Sequence, residues 1–505
     1  MNTLISASGA RSLDREASAH WGLDPHALVE AAGRACAEVF VNTFSHKHLS
    51  CAVLAGSGNN AADALIMLRT LIIRGYAGAC TVFLTRLPAE DPSSPLSLAL
   101  ISVQKLGIAV KVWDDACTLA GADCIIDGIA GTGIDSPLHG AALAMTEAAN
   151  SLRDGRLVVS IDMPSGNFDG WQPGMPIVHA HATLAIEPQK LCIYSPAARI
   201  HAGTILAVNG IFPPALIGQY HEVELFDWKT AASRIKPVAA DAHKYRRGLV
   251  EIRAGSSGMT GAAHLAAMGA QAAGAGLVRL ILDPSLYPLI APACTGIMVV
   301  PDGETADGNR FNPAAVLMGP GWGKGEDRRR LLEMYLPREQ QGLPLILDAD
   351  AIDLAKDLIF HGNVLLTPHP GEFARYTGLS QDAILADPIP ILRRCAAEKN
   401  AFILLKGHVL YIACPDGRVG IIDGMNPLLA AGGSGDVLAG FCAAIAARPC
   451  TAVFDGYACA SAAAALLLQT AHKLAGKFAD PAELANAAAA IAGEAWLQGD
   501  TYERC

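Results

Sequence analysis

Gly432-Gly433-Ser434-Gly435-Asp436 stands just ahead of Phe441–Ala447, an apolar run with helical spacing. Glycines at the opening of a helix let successive backbone N–H groups converge on one point, forming an anion hole suited to a transferring phosphoryl group. A carboxylate beside such a hole is repelled by the anion unless it takes a proton from an attacking hydroxyl, so Asp436 reads as a general base. The plainer reading is an acidic residue in the first turn of an ordinary helix, which the density of glycine at 432–435 disfavours. Three further segments carry chemistry in the same half. His369 lies between Pro368 and Pro370 after the apolar run Val364–Leu366, Lys406-Gly407-His408 follows Phe402–Leu405, and Asp348 and Asp350 follow Leu345–Leu347, where magnesium would be held. Gly255–Ala263 and Gly319–Gly323 are glycine-rich loops that let backbone approach a ligand.

A second constellation lies near the start of the chain. The run Ala52-Val53-Leu54 leads into Gly56-Ser57-Gly58-Asn59-Asn60-Ala61-Ala62-Asp63-Ala64 and then an apolar helical pattern, a strand-to-helix turn that suits a phosphate. Its third fingerprint glycine is missing, so the turn alone is a weak signal. Asp127 and Asp162 each end a further apolar run and each is followed by glycine, in Asp127-Gly128-Ile129-Ala130-Gly131-Thr132-Gly133 and Asp162-Met163-Pro164-Ser165-Gly166. A single such Asp is as well explained by turn capping; Asp63, Asp127 and Asp162 together point to one mouth at a sheet edge.

Positioning these groups requires strands that end at the motifs. Short apolar runs recur at Ala52–Ala55, Thr81–Leu84, Cys124–Ile126, Leu157–Ile161, Leu249–Ile252, Leu277–Leu282, Leu345–Leu347, Val364–Leu366 and Phe402–Leu405, separated by Ala-rich helical stretches. That alternation predicts parallel sheets covered on both faces. The polar stretch around Glu222, Glu224, Asp227, Lys229 and Pro237 lacks such a run, which places a linker at 221–243 between domains at 1–220 and 244–505.

The composition agrees. With 505 residues, 51% hydrophobic and 17% charged, the chain can build more than one large core. A net charge of −10 disfavours nucleic acid or an anionic membrane as partner, and the longest apolar stretch, within Ala460–Leu468, is far short of a span of about twenty residues. Thirteen scattered cysteines without a C-x-x-C pair read as reduced thiols, and with no secretory pattern at the start the expected compartment is the cytoplasm. The Ala-rich stretch Ala458–Leu468 is either core or subunit interface, and a homo-oligomer is expected.

The motifs of the first half, together with Arg11-Ser12-Leu13-Asp14-Arg15-Glu16-Ala17 and Leu28-Val29-Glu30-Ala31-Ala32-Gly33-Arg34, resemble the NAD(P)HX epimerase family over residues 5–215. The resemblance implies a Rossmann-like three-layer α/β domain that interconverts the R and S forms of reduced nicotinamide nucleotide hydrated at C6. It also implies a potassium ion on Asn60, Asp127 and Ser165, and nucleotide contacts from Asn60, Ala61, Ala62, Asp63 and Ala64 and from Gly131, Thr132 and Gly133. Asp162 would do the acid–base work. That family normally has glycine at the positions of Ala61, Ala62 and Ala64, and Asp at those of His181 and Asn209. If any alanine position required left-handed backbone or close approach, a methyl there would cost about 1 kcal/mol or more and crowd the pyrophosphate, so a weakened or inactive epimerase is expected.

The second half resembles the NAD(P)H-hydrate dehydratase family, with a ribokinase-like α/β fold, over residues 240–500. This implies contacts from Ala262, Gly321, His369 and Asp436 to the hydrated nicotinamide nucleotide. Lys406, Gly407, His408, Val409, Leu410 and Gly435 would contact the adenine nucleotide, ADP or ATP, with Mg2+; Leu410 replaces a more usual threonine. The whole chain thus resembles the two-domain repair enzymes for hydrated NADH and NADPH. The alternative is a ribokinase-type small-molecule kinase with a non-catalytic N-terminal scaffold, which Pro368-His369-Pro370-Gly371-Glu372 disfavours.

Overall fold

In the computed structural model, residues 3–44, 48–88, 91–303, 312–448 and 454–497 are described. All nine apolar runs predicted from sequence lie in strands. The chain divides into two compact units, Met1–Glu224 and Leu225–Cys505.

The first unit holds a seven-stranded parallel sheet. Its order is Ala109–Val112, Ala77–Leu84, Leu49–Ala55, Cys124–Gly128, Leu157–Ile161, Ala182–Ile186 and Thr204–Val208. Chain order reverses between Leu49–Ala55 and Cys124–Gly128, so the connections leaving these neighbours diverge and open a crevice at their carboxyl ends. Gly56 is required there, because a Cβ on it would sit 1.9 Å from the Ile129 carbonyl oxygen. Helices Pro25–Thr43, Asn59–Ile73 and Pro95–Lys105 cover one face with a core that includes Phe40, Leu65, Met67 and Leu68.

Ala61, Ala62 and Ala64 lie in the first turns of Asn59–Ile73, on right-handed backbone and with no exposed surface. Their methyls are part of the same core, and Gly128 leaves room for one of them: a Cβ on Gly128 would fall 2.6 Å from that of Ala64. The expected strain is therefore absent. Alanine suits a helix interior better than glycine by about 1 kcal/mol.

In the second unit the order is Met298–Pro301, Leu277–Leu282, Leu249–Arg253, Ala315–Met318, Leu345–Leu347, Val364–Leu366 and Phe402–Leu405, all parallel. The sheet continues through antiparallel Val409–Ala413 and Val419–Asp423. This hairpin, turning through Pro415-Asp416-Gly417, departs from the all-parallel expectation. Chain order reverses between Leu249–Arg253 and Ala315–Met318, which puts the loops after Ala254 and after Met318 side by side.

Helices Thr260–Ala272 and Ser434–Ala446 pack at glycine contacts from both sides. A Cβ on Gly440 would lie 2.2 Å from the Ala266 carbonyl oxygen, and one on Gly269 would lie 2.4 Å from that of Val437. The stretch Ala458–Leu468 is core, within the buried helix Gly456–Lys473. No helix among the described residues is long and apolar enough to cross a membrane.

Much of the segment expected as a linker is structured. Asp227 caps the helix Trp228–Ala232, Phe226 meets the ring of Tyr457 edge-on, and the Trp496 indole N–H donates to the Ala232 carbonyl at 3.2 Å. The polar residues at 222–236 concealed these apolar anchors because the element is one short turn of helix, too short to show periodicity.

Gly440→Ala is expected to destabilise the second unit by about 1–3 kcal/mol through overpacking, read as a lower urea midpoint for that unit. Restoring glycine at 61, 62 and 64 together is expected to destabilise the first unit by about 1 kcal/mol per position. An unchanged midpoint would contradict the helical core role of the alanines.

Candidate active sites

In the first unit the crevice is a cavity of about 930 Å³. Asn59, Asn60 and Asp63 from one helix, Gly131, Thr132 and Gly133 from the next loop, Asp162, and Asp14 from helix Ala7–Ala19 line it together with Lys190. Ala61, Ala62 and Ala64, expected among the nucleotide contacts, do not line it; their methyls lie in the core. His181 and Asn209 lie outside the lining as well. His181 accepts from the Val158 N–H at 3.1 Å at the opposite end of the strands, and Asn209 is exposed.

Asp162 follows the strand Leu157–Ile161 on left-handed backbone, φ +66°, unusual for a residue other than glycine. Its Oδ1 accepts from the Lys190 ammonium at 2.5 Å, and Lys190 also donates to the Ile186 carbonyl at 3.0 Å. Burial pushes the Asp63 carboxyl well above the usual range, reinforced by Asp162 and opposed by Lys190. Burial also raises Asp14, against the attraction of Lys190. Buried carboxyls thus share one ammonium, and Asp63 holds its proton more tightly than a free carboxyl does. Lys190 and Asp14 escaped the sequence reading; the available signal was a lysine four residues beyond a buried strand, in Glu187-Pro188-Gln189-Lys190.

The expected potassium ligands meet a structural test. Asp127 is wholly buried, accepts from the Ser165 and Ser160 hydroxyls at 2.5 and 2.7 Å and from the Ser165 N–H at 2.9 Å, and burial raises its carboxyl. The Ser165 hydroxyl also donates to the Ala130 carbonyl at 3.0 Å. Asn60 has both amide atoms buried without a hydrogen-bond partner, and a Cβ on Gly131 would lie 3.3 Å from its Oδ1. An unengaged amide oxygen, a hydroxyl and a buried carboxylate are a donor set for a hard cation.

In the second unit the strand ends bring the predicted groups around Lys406. Its ammonium donates to Asp348 Oδ1 at 2.7 Å, and the same oxygen accepts from the Thr367 hydroxyl at 2.7 Å. A Cβ on Gly435 would lie 3.5 Å from the Lys406 nitrogen, so the lysine rests on the anion loop. Gly433 opens the helix at φ +101°, a left-handed value that glycine adopts without penalty. Asp436, in the first turn, is pushed up to about 6 by burial and then by Asp348, with Lys406 opposing. Asp348, Glu372 and Asp436 in turn raise Lys406 above the usual range against its burial.

His369 caps the helix Pro370–Thr377. Its Nδ1 accepts from the Gly371 and Glu372 N–H groups at 3.0 and 3.3 Å, and Glu372 returns a bond from the His369 N–H at 2.8 Å. With Nδ1 accepting, the proton of the neutral ring sits on Nε2, which lies 3.4 Å from Glu372 Oε1. Gly321, at φ +56°, packs on the opening of Thr260–Ala272; a Cβ there would lie 2.7 Å from that of Met259 and 3.1 Å from that of Ala262.

Not every predicted residue joins this cluster. Val409 and Leu410 are buried strand residues, Leu410 in the main core, so neither presents a side chain to a ligand; Gly407 and His408 are exposed at the turn before them. Asp350, paired with Asp348 in the sequence, accepts from the Gly323 N–H at 2.8 Å and faces Lys324 at 3.8 Å.

Comparison with known proteins covers both units. The NAD(P)H-hydrate dehydratase family matches residues 250–490, and the YjeF-related protein N-terminus family matches residues 25–192. The bifunctional NAD(P)H-hydrate repair enzyme Nnr of Moorella thermoacetica is 32% identical over 473 residues, covering 88% of each chain. The enzyme of the same name from Gloeobacter violaceus is 32% identical over 471 residues, covering 88% of this chain and 89% of its own. Among solved structures, the ADP/ATP-dependent NAD(P)H-hydrate dehydratase of Bacillus subtilis, co-crystallized with ATP/Mg2+, is 27% identical with a TM-score of 0.49, covering 54% of this chain and 99% of that one. Sequence similarity that spans both units along nearly the full length of such relatives makes the chain a member of the bifunctional NAD(P)H-hydrate repair enzyme family.

Proposed function

We propose that the chain repairs hydrated NADH and NADPH, with the second unit as an ADP- or ATP-dependent dehydratase and the first as an epimerase that feeds it. The observation that carries the dehydratase reading is the placement of the Asp436 carboxyl in the first turn behind a glycine loop on which the half-buried Lys406 rests. Hydroxide leaves C6 of the hydrate poorly. Phosphorylating the hydroxyl makes phosphate the leaving group. Asp436 takes the hydroxyl proton while the oxygen attacks the terminal phosphorus of the nucleotide, and the Gly432–Gly435 N–H groups and Lys406 stabilise the transferring group. Magnesium bound with the nucleotide would supply further neutralisation of phosphate charge. The ring nitrogen's lone pair then expels phosphate, C6–O breaks, and loss of a proton from C5 restores the dihydropyridine. His369, half exposed with Nε2 3.4 Å from Glu372 Oε1, would orient the hydrated ring together with that carboxylate.

In the first unit, Asp162 held by Lys190, and Asp63, whose burial favours its protonated form, supply a base and an acid to a substrate bound in the cavity. That pairing suits departure and return of the C6 hydroxyl on opposite faces. Potassium, held by Asn60, Asp127 and Ser165, would supply positive charge for substrate oxygens. Since the alanine methyls are in the core rather than the cavity, the epimerase is proposed to be active.

Recovery of reduced-nicotinamide absorbance from mixed R and S hydrate, with Mg2+ and either donor, is expected to run to completion with equimolar phosphate release. Recovery that stops at the S fraction would overturn the epimerase reading. A stable phosphorylated product without phosphate release would point to a small-molecule kinase. Glycine at 61, 62 and 64 is expected to leave epimerisation within about threefold of the parent, a difference below 1 kcal/mol in barrier.

Asp436→Asn is expected to lower turnover by at least about a hundredfold, the lower range for a lost acid–base group. For the parent, kcat/KM should fall about tenfold per pH unit below about 6, because the base must be ionised. Stability gives an independent readout. The folded state holds the Asp436 proton more tightly than the unfolded chain, so this residue costs stability as pH rises from about 4 through about 6. The asparagine variant should therefore be more stable than the parent at pH 7, by about 1–3 kcal/mol, and no more stable at pH 4.

A further inference from the structure

Three cysteines far apart in sequence stand side by side in the first unit. Cys51 is in register with Cys80 on one neighbouring parallel strand and with Cys124 on the other. Residues paired this way point to the same face, and all three belong to, or pack against, one apolar cluster. The Cys51 strand thus has one of the other cysteines on either side. All three are free thiols.

We propose that this row is a thiol-oxidation site, at which a low-molecular-weight disulfide converts Cys80 and Cys51 to an intramolecular disulfide. Adjacent strands lie about 4.8 Å apart, inside the Cα separation of roughly 4.4–6.8 Å that a disulfide spans. Access sets the order of events: Cys80 is half-buried, whereas Cys51 is 3% exposed and Cys124 is fully buried. A β-bulge between Leu49 and Cys51 puts Gly78 and Ala79 in the partner strand just before Cys80, and both are exposed. A bulge bends its strand and loosens the ladder locally, which provides the backbone freedom that closing a disulfide needs. The Cys80 thiol donates to the Gly78 carbonyl at 3.3 Å, within that same segment.

The chemistry balances as two exchanges. The Cys80 thiolate attacks one sulfur of the disulfide RSSR, forming Cys80–S–S–R and releasing the first thiolate. The Cys51 sulfur, as thiolate, then attacks Cys80 Sγ and expels the second, so that RSSR gains two electrons and two protons and two protein thiols lose them. The neighbouring Cys124 and burial raise the Cys51 thiol, and Cys51 and burial raise that of Cys80, so the reaction should quicken in mildly alkaline solution.

The test is oxidation of the full-length chain by oxidised glutathione, followed by mass spectrometry and peptide mapping. Loss of two hydrogens from the chain, located to a Cys51–Cys80 linkage and reversed by dithiothreitol, is expected. Cys80→Ser, a half-buried position, should abolish it with an unchanged circular dichroism spectrum. A lasting glutathione adduct on Cys80, a Cys51–Cys124 linkage, or no change at Cys51 and Cys80 while the urea-unfolded chain reacts would each overturn the proposal. Mapping of the parent decides the matter even where a serine variant fails to fold.

Discussion

Each unit buries one ammonium group among carboxylates at the carboxyl end of a parallel sheet. Lys190 faces Asp162, Asp63 and Asp14; Lys406 faces Asp348, Glu372 and Asp436. Carboxylates gathered there without a cation would protonate or spread apart, since burial and like charge both disfavour ionisation. One lysine cannot neutralise three of them. Burial raises Asp63 and Asp436, and the neighbouring Asp162 and Asp348 add to it, while each of those neighbours stays tied to lysine. Acid and base thus arise from a single electrostatic constraint applied to residues of one chemical type.

That constraint works only if the backbone lets the groups approach. At the reversal of strand order in the first unit, Gly56 meets the Ile129 carbonyl; in the second unit, at the ends of the neighbouring strands Ala315–Met318 and Leu345–Leu347, a Cβ on Gly319 would lie 1.7 Å from the Asp348 carbonyl oxygen. A side chain at either position would push apart the two strands whose ends carry the site. The glycine contacts between Thr260–Ala272 and Ser434–Ala446 act in the same way, fixing the helix that carries Asp436 against the one that meets Gly321. Close packing, rather than loop flexibility, holds the reacting groups in place.

The three alanines show how a departure from a familiar pattern misleads when read as isolated positions. A glycine motif suggests left-handed backbone or contact with ligand, and a methyl then looks like an obstruction. Here the same residues form the buried side of a helix, where the methyl adds core contact and helix propensity. The structure within the expected linker was hidden for the opposite reason: the units do divide inside that segment, but the six charged residues between 222 and 236 outnumber Phe226 and Trp228, the two aromatic side chains there. A short helix held by Phe226, Trp228 and Trp496 has no period to read.

The sequence by itself determined the strands, through local runs of Val, Ile and Leu, and with them the parallel α/β class. It also determined the turns at Gly56–Asp63, Asp127–Gly133, His369–Glu372 and Gly432–Asp436, because glycine and proline fix backbone geometry residue by residue. What only the tertiary structure decided is which of those turns share a mouth, which side chains at a turn face it, and which partner each charge finds. Lys190 meets Asp162 from 28 residues away, Lys406 meets Asp348 from 58, and Cys51 stands between two thiols on separate strands. Such pairings depend on strand order and register, which are set by the packing of whole sheets and leave no local pattern in the chain.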